Sequence, residues 1–328
     1  MVIFMRLVFT CTVAICLSAC AIYPATENVT GLDPFAIERQ IRCESQSALQ
    51  DKVIRLLLAD AEFTQNSAAK KLAEVLEENR LLFRRFHTIK FDSIVAPYID
   101  KYLNAAIAYE FTFDITEDNE ADAGIDLIGP ITGGLVKLNA KAGTDRSREG
   151  ISHFQASDVF GKLIEADLHC GEQPIGPNYL YPITGKIGVA NPLKQFIDLN
   201  EFGNLAGASA TDKVPTYAAT FNFQTVINGS LTPQVTLSPV KRGLTDASLN
   251  SSAKRTDIHK LIIGFSLPPQ KSSKEAQMHS PASSGVSLLG PSTLSAANKT
   301  PAEIRALQTI QQFKLDNFLS KGTVFVTP

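Results

Sequence analysis

The chain has 328 residues, with 31 basic and 33 acidic side chains and a net charge of −2. Without a strong field of one sign it is not a general nucleic-acid binder. A hydrophobic share of 44% against 20% charged is that of a chain that buries a core, and 5 Cys are too few for a disulfide-framework miniprotein.

The first twenty residues read as a leader. Arg6 is their only charge, and Leu7 to Cys16 is an apolar run of ten residues. That run is too short to cross a bilayer but right for the hydrophobic region of a signal peptide. Leu17-Ser18-Ala19-Cys20 follows. This resembles the lipobox of bacterial lipoproteins, where small residues fit the signal peptidase and the Cys thiol takes a diacylglyceryl group. The resemblance covers the leader alone. It implies a signal peptide over 1–19, a mature chain that begins at an acylated Cys20, and a lipid bilayer as a partner through that residue. Two or three acyl chains anchor stably where one binds only marginally. Ala21, rather than Asp, resembles the outer-membrane form of the signal, so the implied place is the cell envelope, in the outer membrane facing the periplasm.

With the leader cleaved and Cys20 acylated, two thiols remain, Cys43 and Cys170. The periplasm is oxidising, so a Cys43–Cys170 disulfide is one expectation and a pair of buried free thiols the other. Neither Cys lies in a nucleophile motif. His169 precedes Cys170, but adjacency in sequence does not make a nucleophile–base pair.

Residues 20–33 read as a tether. A helix is expected from Gln46 to Ala61, with Leu49, Val53, Leu56 and Leu57 on one face. A second, capped by Ser67, carries Leu72, Val75, Leu76, Leu82, Phe83 and Phe86 at helical spacing. Its other face holds Lys70, Lys71, Arg80, Arg84 and Arg85, interrupted by Glu74, Glu77 and Glu78, and reads as solvated. Strands are expected at Ala108 to Thr116, Leu135 to Ala142 and Ile151 to Ser157, with Asp158 opening a helix. Residues 171–192 read as a connection, and Asn191-Pro192 as a helix start.

Tyr217 to Ile227 reads as a strand, Asn228-Gly229 as a hairpin turn, and Gln234 to Val240 as the return. Ile258 to Leu267 is the most apolar strand. Phe111-Thr112-Phe113 and Phe221-Asn222-Phe223 open similar stretches, which suggests a weak internal duplication. Pro268 to Thr300 is rich in Ser, Pro, Ala and Lys and reads as a flexible linker. Thr300-Pro301-Ala302-Glu303 matches a capping box, predicting a helix to about Ser320 that docks back onto its own domain or else onto a partner, a stop at Gly322 and a short strand from Thr323 to Thr327. The expected fold is α+β, with N-terminal helices packed on mainly antiparallel β-sheet, in one body or two similar halves, plus the C-terminal helix. The expected divisions are 34–172 for helices and the first β region, 173–267 for the second β region, 268–300 for the linker and 301–328 for the last helix and strand.

Chemistry is sparse. Asp118, Glu120 and Asp122 alternate ahead of Gly124 but depart from a calcium loop, because the glycine is one position late and Gly129 stands where the bidentate Glu belongs. An acidic hairpin tip is the better reading. His87, His153, His169, His259 and His279 form no metal-binding pair. Ser152, His153 and Asp158 form a triad only on paper, and Gly129, Gly133 and Gly134 lack the Lys-Ser/Thr of a phosphate loop. No catalytic residue, metal or cofactor is expected. The reading is a membrane-anchored envelope lipoprotein that binds or scaffolds, with an envelope protein as a further partner and no enzymatic role. The alternatives are an envelope hydrolase and a carrier of a small apolar ligand in an aromatic-lined cavity.

Overall fold

The computed structural model describes residues 23–90, 93–131, 134–171, 178–205, 214–232, 234–236, 243–269 and 299–322. Cys20 and its leader, most of the expected linker, and Thr323 to Thr327 lie outside them. The chain divides into two compact units. The first takes 1–33, 113–152 and 223–259, and the second takes 34–112, 153–222 and 260–328. Each unit draws on both β regions of the sequence.

Helices come first because apolar residues recur at three and four positions. After a short α1 (Glu27–Thr30), closed by Gly31 in the left-handed conformation (φ 69°), α2 runs Pro34–Thr64. It starts earlier than Gln46 because Ile37 and Ile41 extend the stripe, both fully buried, and Pro34 suits a first helical position. The next helix, α3 (Ser67–Glu78), is capped by Asn66 rather than Ser67. The Asn66 Oδ1 accepts from the Ala68 and Ala69 amides at 3.1 Å each. The single helix expected through Phe86 breaks at Asn79, whose side chain accepts from the Leu81 amide at 3.1 Å and opens a 3₁₀ helix, Arg80–Thr88. Helix α4 (Ala96–Leu103) leads into the sheet.

The sheet is built from β1 (Ala106–Ile131), β2 (Gly134–Val159), β3 (Thr216–Leu231), β4 (Gln234–Thr236) and β5 (Gly243–Ser266). Its order is β2-β1-β5-β3, with β4 also on β5, and its long strands are antiparallel. The expected short strands are thus pieces of longer ones. The acidic stretch from Asp114 lies within β1 rather than at a hairpin tip, and Asn228-Gly229 is extended backbone inside β3. Polar residues at every second position of a strand imitate a loop. Asp158 still belongs to β2, and the short helix α5 is Phe160–Glu165; α6 follows at Ala190–Phe202. Along the sheet each hairpin sets its returning strand before its leading one, the order a duplication requires. The aromatic pairs differ, however, since Phe111 and Phe113 are buried whereas Phe221 and Phe223 are half-buried.

The core of unit two lies on both faces of its strand segments. Phe196 on α6 stacks on Phe265 of β5, with ring centroids 5.3 Å apart. The last helix, α7 (Pro301–Gly322), closes a reciprocal cap. Its Thr300 amide donates to Glu303 Oε2 at 2.8 Å, and the Glu303 amide donates to Thr300 Oγ1 at 3.3 Å. Ala302, Ala306 and Ile310 pack on Ala106, Ala108 and Ile262. A Cβ on Gly264 would meet the Ala306 carbonyl at 2.5 Å, so helix and strand approach as closely as a glycine allows. The helix docks on its own unit. Beyond Ile310 it exposes Leu315, Phe318 and Leu319. The α+β architecture, with N-terminal helices on the sheet, is as expected.

Candidate functional site

Unit one holds the first described residues of the chain in a clasp. Arg255 on β5 is central. Its Nη2 donates to the Ala25 carbonyl at 2.7 Å, Nη1 to Glu117 at 2.9 Å and Nε to Asp257 at 2.8 Å. Arg148 on β2 meets the other Glu117 oxygen at 2.7 Å. Asp257 is fully buried and Arg255 nearly so. A buried guanidinium is tolerable only where charged and carbonyl partners replace water, as these do. Gly150 lets the segment cross β2, since a Cβ there would lie 2.9 Å from the Tyr23 ring and 3.0 Å from Pro24. Thr26 then ties the turn, its hydroxyl donating to the Leu32 carbonyl at 3.1 Å. The clasp begins three residues after Cys20.

Beside it, His259 meets Phe113 edge-on at 5.1 Å. Burial pushes its pKa down to about 4, against an opposing pull from Asp257. The ring is therefore neutral near pH 7.

The other feature of unit one is a polar concavity of about 530 Å³, lined by Asp118, Glu120, Ser147, Ser230, Ser252 and Lys254 among others. Ser252 donates to Glu120 at 3.2 Å. The acidic residues read as a faint calcium loop thus belong to a strand face. Among the described residues no three His, Cys, Asp or Glu side chains gather as a metal site.

In unit two a disulfide joins Cys43 of α2 to Cys170, with Cα atoms 5.7 Å apart. The paper triad does not assemble: His153 Nε2 faces Glu110 at 3.2 Å, and Asp158 receives Arg42 at 2.6 and 2.8 Å. An apolar space between α2, α4 and α6 holds about 30 Å³, room for a water or two, whereas ligand sites run to about 300–1,000 Å³. It does not support the carrier reading.

A further buried charge escaped the sequence reading. Glu110 alternates with aromatics on β1 and looks like a solvent-facing residue, yet it is 2% exposed. Lys314 of α7 binds it at 2.6 Å, Gln155 at 2.6 Å and Gln311 at 3.1 Å. Burial opposes its ionisation, but Lys314, Gln155 and His153 together outweigh burial and hold the carboxyl below the usual range. Its partners lie up to 204 residues away, beyond the reach of any local pattern.

No helix among the described residues is long and apolar enough to cross a membrane. A family model described as "Uncharacterised protein y4kA" matches residues 23–282. An uncharacterized protein y4kA from Sinorhizobium fredii is 29% identical over 260 residues, which are 77% of this chain and 80% of that protein. Among solved structures, the Salmonella SPI-1 type III secretion injectisome secretin InvG (residues 176-end, open gate state) aligns with 53% of this chain and 63% of its own. The TM-score there is 0.23 at 7% identity, too low for any argument. The match over residues 23–282 places the chain in the Y4kA family.

Proposed function

We propose that this protein is a cell-envelope lipoprotein with a non-enzymatic binding or scaffolding role, anchored through acyl chains on Cys20 in the outer membrane and facing the periplasm. The observation that carries the reading is the Arg255 clasp. A chain segment of three residues reaches at most about 11 Å. Lipid on Cys20 would therefore be a handle close to unit one rather than the end of a long leash. Of the Arg255 partners, the Ala25 carbonyl is the one on this segment, and it holds the chain beside unit one five residues after Cys20. The Cys43–Cys170 bridge suits an oxidising compartment.

The test is chemical. Metabolic labelling with a fatty-acid analogue should mark the wild-type protein and leave Cys20→Ser unmarked, and the intact mass of the wild type should exceed that of the mature chain by its acyl groups. An unlabelled wild type, or a labelled variant, refutes the anchor.

A further inference from the structure

The sheet of unit one has two unlike faces. Val235 pairs with Ala247 and Thr236 with Asp246. A Cβ on Gly124 would meet Ser248 Oγ at 2.9 Å and the Lys141 side chain at 3.9 Å, and one on Gly143 would meet Asp122. Together with the Ser252–Glu120 bond, these neighbours assign Glu120, Asp122, Lys141, Ser248 and Ser252 to one face. Strand positions alternate between faces. By that repeat, every charge within 121–131, 134–142, 226–236 and 243–254 shares this parity: Asp122, Asp126, Lys137, Lys141, Asp246 and Lys254.

The opposite parity is uncharged throughout those segments. In sequence it carries Ala121, Ala123, Ile125, Leu127 and Ile131 on β1, and Val136, Leu138, Ala140 and Ala142 on β2. On β3 and β4 it carries Ile227, Leu231 and Val235, and on β5 Ala247, Leu249 and Ala253, with Thr245 and Ser251 its polar members. Ala123, Ala140, Ala142 and Ala253 are exposed, Ile227 is 42% exposed and Leu231 74%.

Curvature agrees with this division. The concavity of about 530 Å³ takes Asp118 from β1, Ser147 from β2, Ser230 from β3 and Ser252 from β5, so the sheet curls over its polar face. The edges agree as well. The order ends in β2 and β3, and with all neighbours antiparallel these two run in opposite directions. Successive copies can therefore join edge to edge, antiparallel throughout. Finally, Gly150, Glu117 and Arg255 of the clasp have the parity of the uncharged face, so the segment from Tyr23 to Ala25 meets the sheet on that side.

We propose that unit one is one segment of a homo-oligomeric transmembrane β-barrel, with β2 of one copy pairing with β3 of the next. The uncharged face lies against lipid chains and the charged face lines a water-filled lumen. An eleven-residue stretch such as Ala121 to Ile131, tilted about 40°, rises about 28 Å, which fits an apolar band about 25 Å tall. A charged lumen needs water, and about 16 strands are needed to leave an aqueous channel. At four strands a copy, that means four copies or more. The inference stands on the sheet and rests on the Cys20 reading only for the choice of membrane.

Single-cysteine variants of the full chain, in isolated membranes, test it with a charged, membrane-impermeant maleimide. Asn228→Cys and Ser230→Cys should label at least tenfold faster than Ile227→Cys and Leu231→Cys. The unsubstituted protein, extracted in detergent, should weigh at least four chains by light scattering and conduct ions in a planar bilayer. Equal labelling at the four positions, a monomer, or a soluble face-to-face dimer overturns the proposal. The mass and conductance do not depend on any variant folding. Alternating labels in an acylated background support the barrel whatever Cys20→Ser does to it. Their absence there, with fatty-acid labelling intact, overturns the barrel and leaves the anchor standing.

Discussion

Replacing Arg255 with Ala should cost unit one more than any other single change in its clasp. The substitution removes a guanidinium that is 8% exposed and binds Glu117, Asp257 and the Ala25 carbonyl. Asp257 is 0% exposed, so the change strips a cation from a carboxylate that water does not reach. Breaking a buried pair by deleting one partner costs about 3–5 kcal/mol. The lost bond to Ala25 adds about 1 kcal/mol. That is a large part of the 5–15 kcal/mol that stabilises a typical domain. Glu117→Gln is the control, because it keeps the shape and the Arg255–Asp257 bond and should cost about 1–2 kcal/mol. The assay is hydrogen exchange of the full chain through a urea series, read at residues 26–33 and 253–259. Arg255→Ala should speed exchange in both segments together. A loss below 1 kcal/mol, or fast exchange at 253–259 with 26–33 unchanged, would refute the clasp.

His259 should make unit one acid-sensitive. Its folded pKa of about 4 lies below the unfolded value of about 6.5, so the unfolded chain takes up the proton first. Stability is full above about pH 6.5 and falls through that window by about 3 kcal/mol; His259→Gln should flatten the slope in denaturation curves between pH 7 and pH 4.5, and an unchanged slope would sink the assignment. Reducing the Cys43–Cys170 bridge, which spans 127 residues, should cost about 5 kcal/mol in the chain-entropy model. Urea midpoints of unit two with and without reductant measure it, and equal midpoints would show that the bridge constrains little.

The helical half of the fold was legible because its signals are local. Thr300 and Glu303 sit three residues apart and form the cap that their spacing implies. The break before Ser67 was read, with the cap placed one residue late, whereas the break at Asn79 was legible only in principle, since an Asn cap competes with the helix but this one lay inside a convincing apolar stripe. Strand lengths were misread for a different reason. Glu117, Asp118, Glu120 and Asp122 gave a local polar density that outweighed the alternation beneath it, and β1 runs straight through them. The clasp was not legible, because Ala25, Glu117 and Arg255 are brought together from three parts of the chain. The Cys43–Cys170 bridge was approachable only through a count of the thiols left after leader cleavage.

Parity along β1 ties these errors to the barrel proposal. Tyr109, Phe111, Phe113 and Ile115 occupy its odd positions and are buried. Continuing the same parity, the sequence turns to Ala121, Ala123, Ile125 and Leu127. Large rings give way to small and aliphatic side chains. A close-packed protein layer rewards interlocking rings, because the contacts are specific and permanent. A fluid hydrocarbon layer asks for an apolar band free of charge, with aromatic residues gathered at its two interfaces rather than through its depth. The even positions change as well, from Ala106, Ala108 and Glu110, all buried, to Asp118, Glu120 and Asp122. Two faces of one strand thus change character over the same few residues, with the ion pair of Glu117 and Arg255 in between. A sheet meant for water on both faces would have no reason to exclude charge from one of them over stretches of about nine to twelve residues on neighbouring strands. A sheet meant for lipid on one face and water on the other requires it.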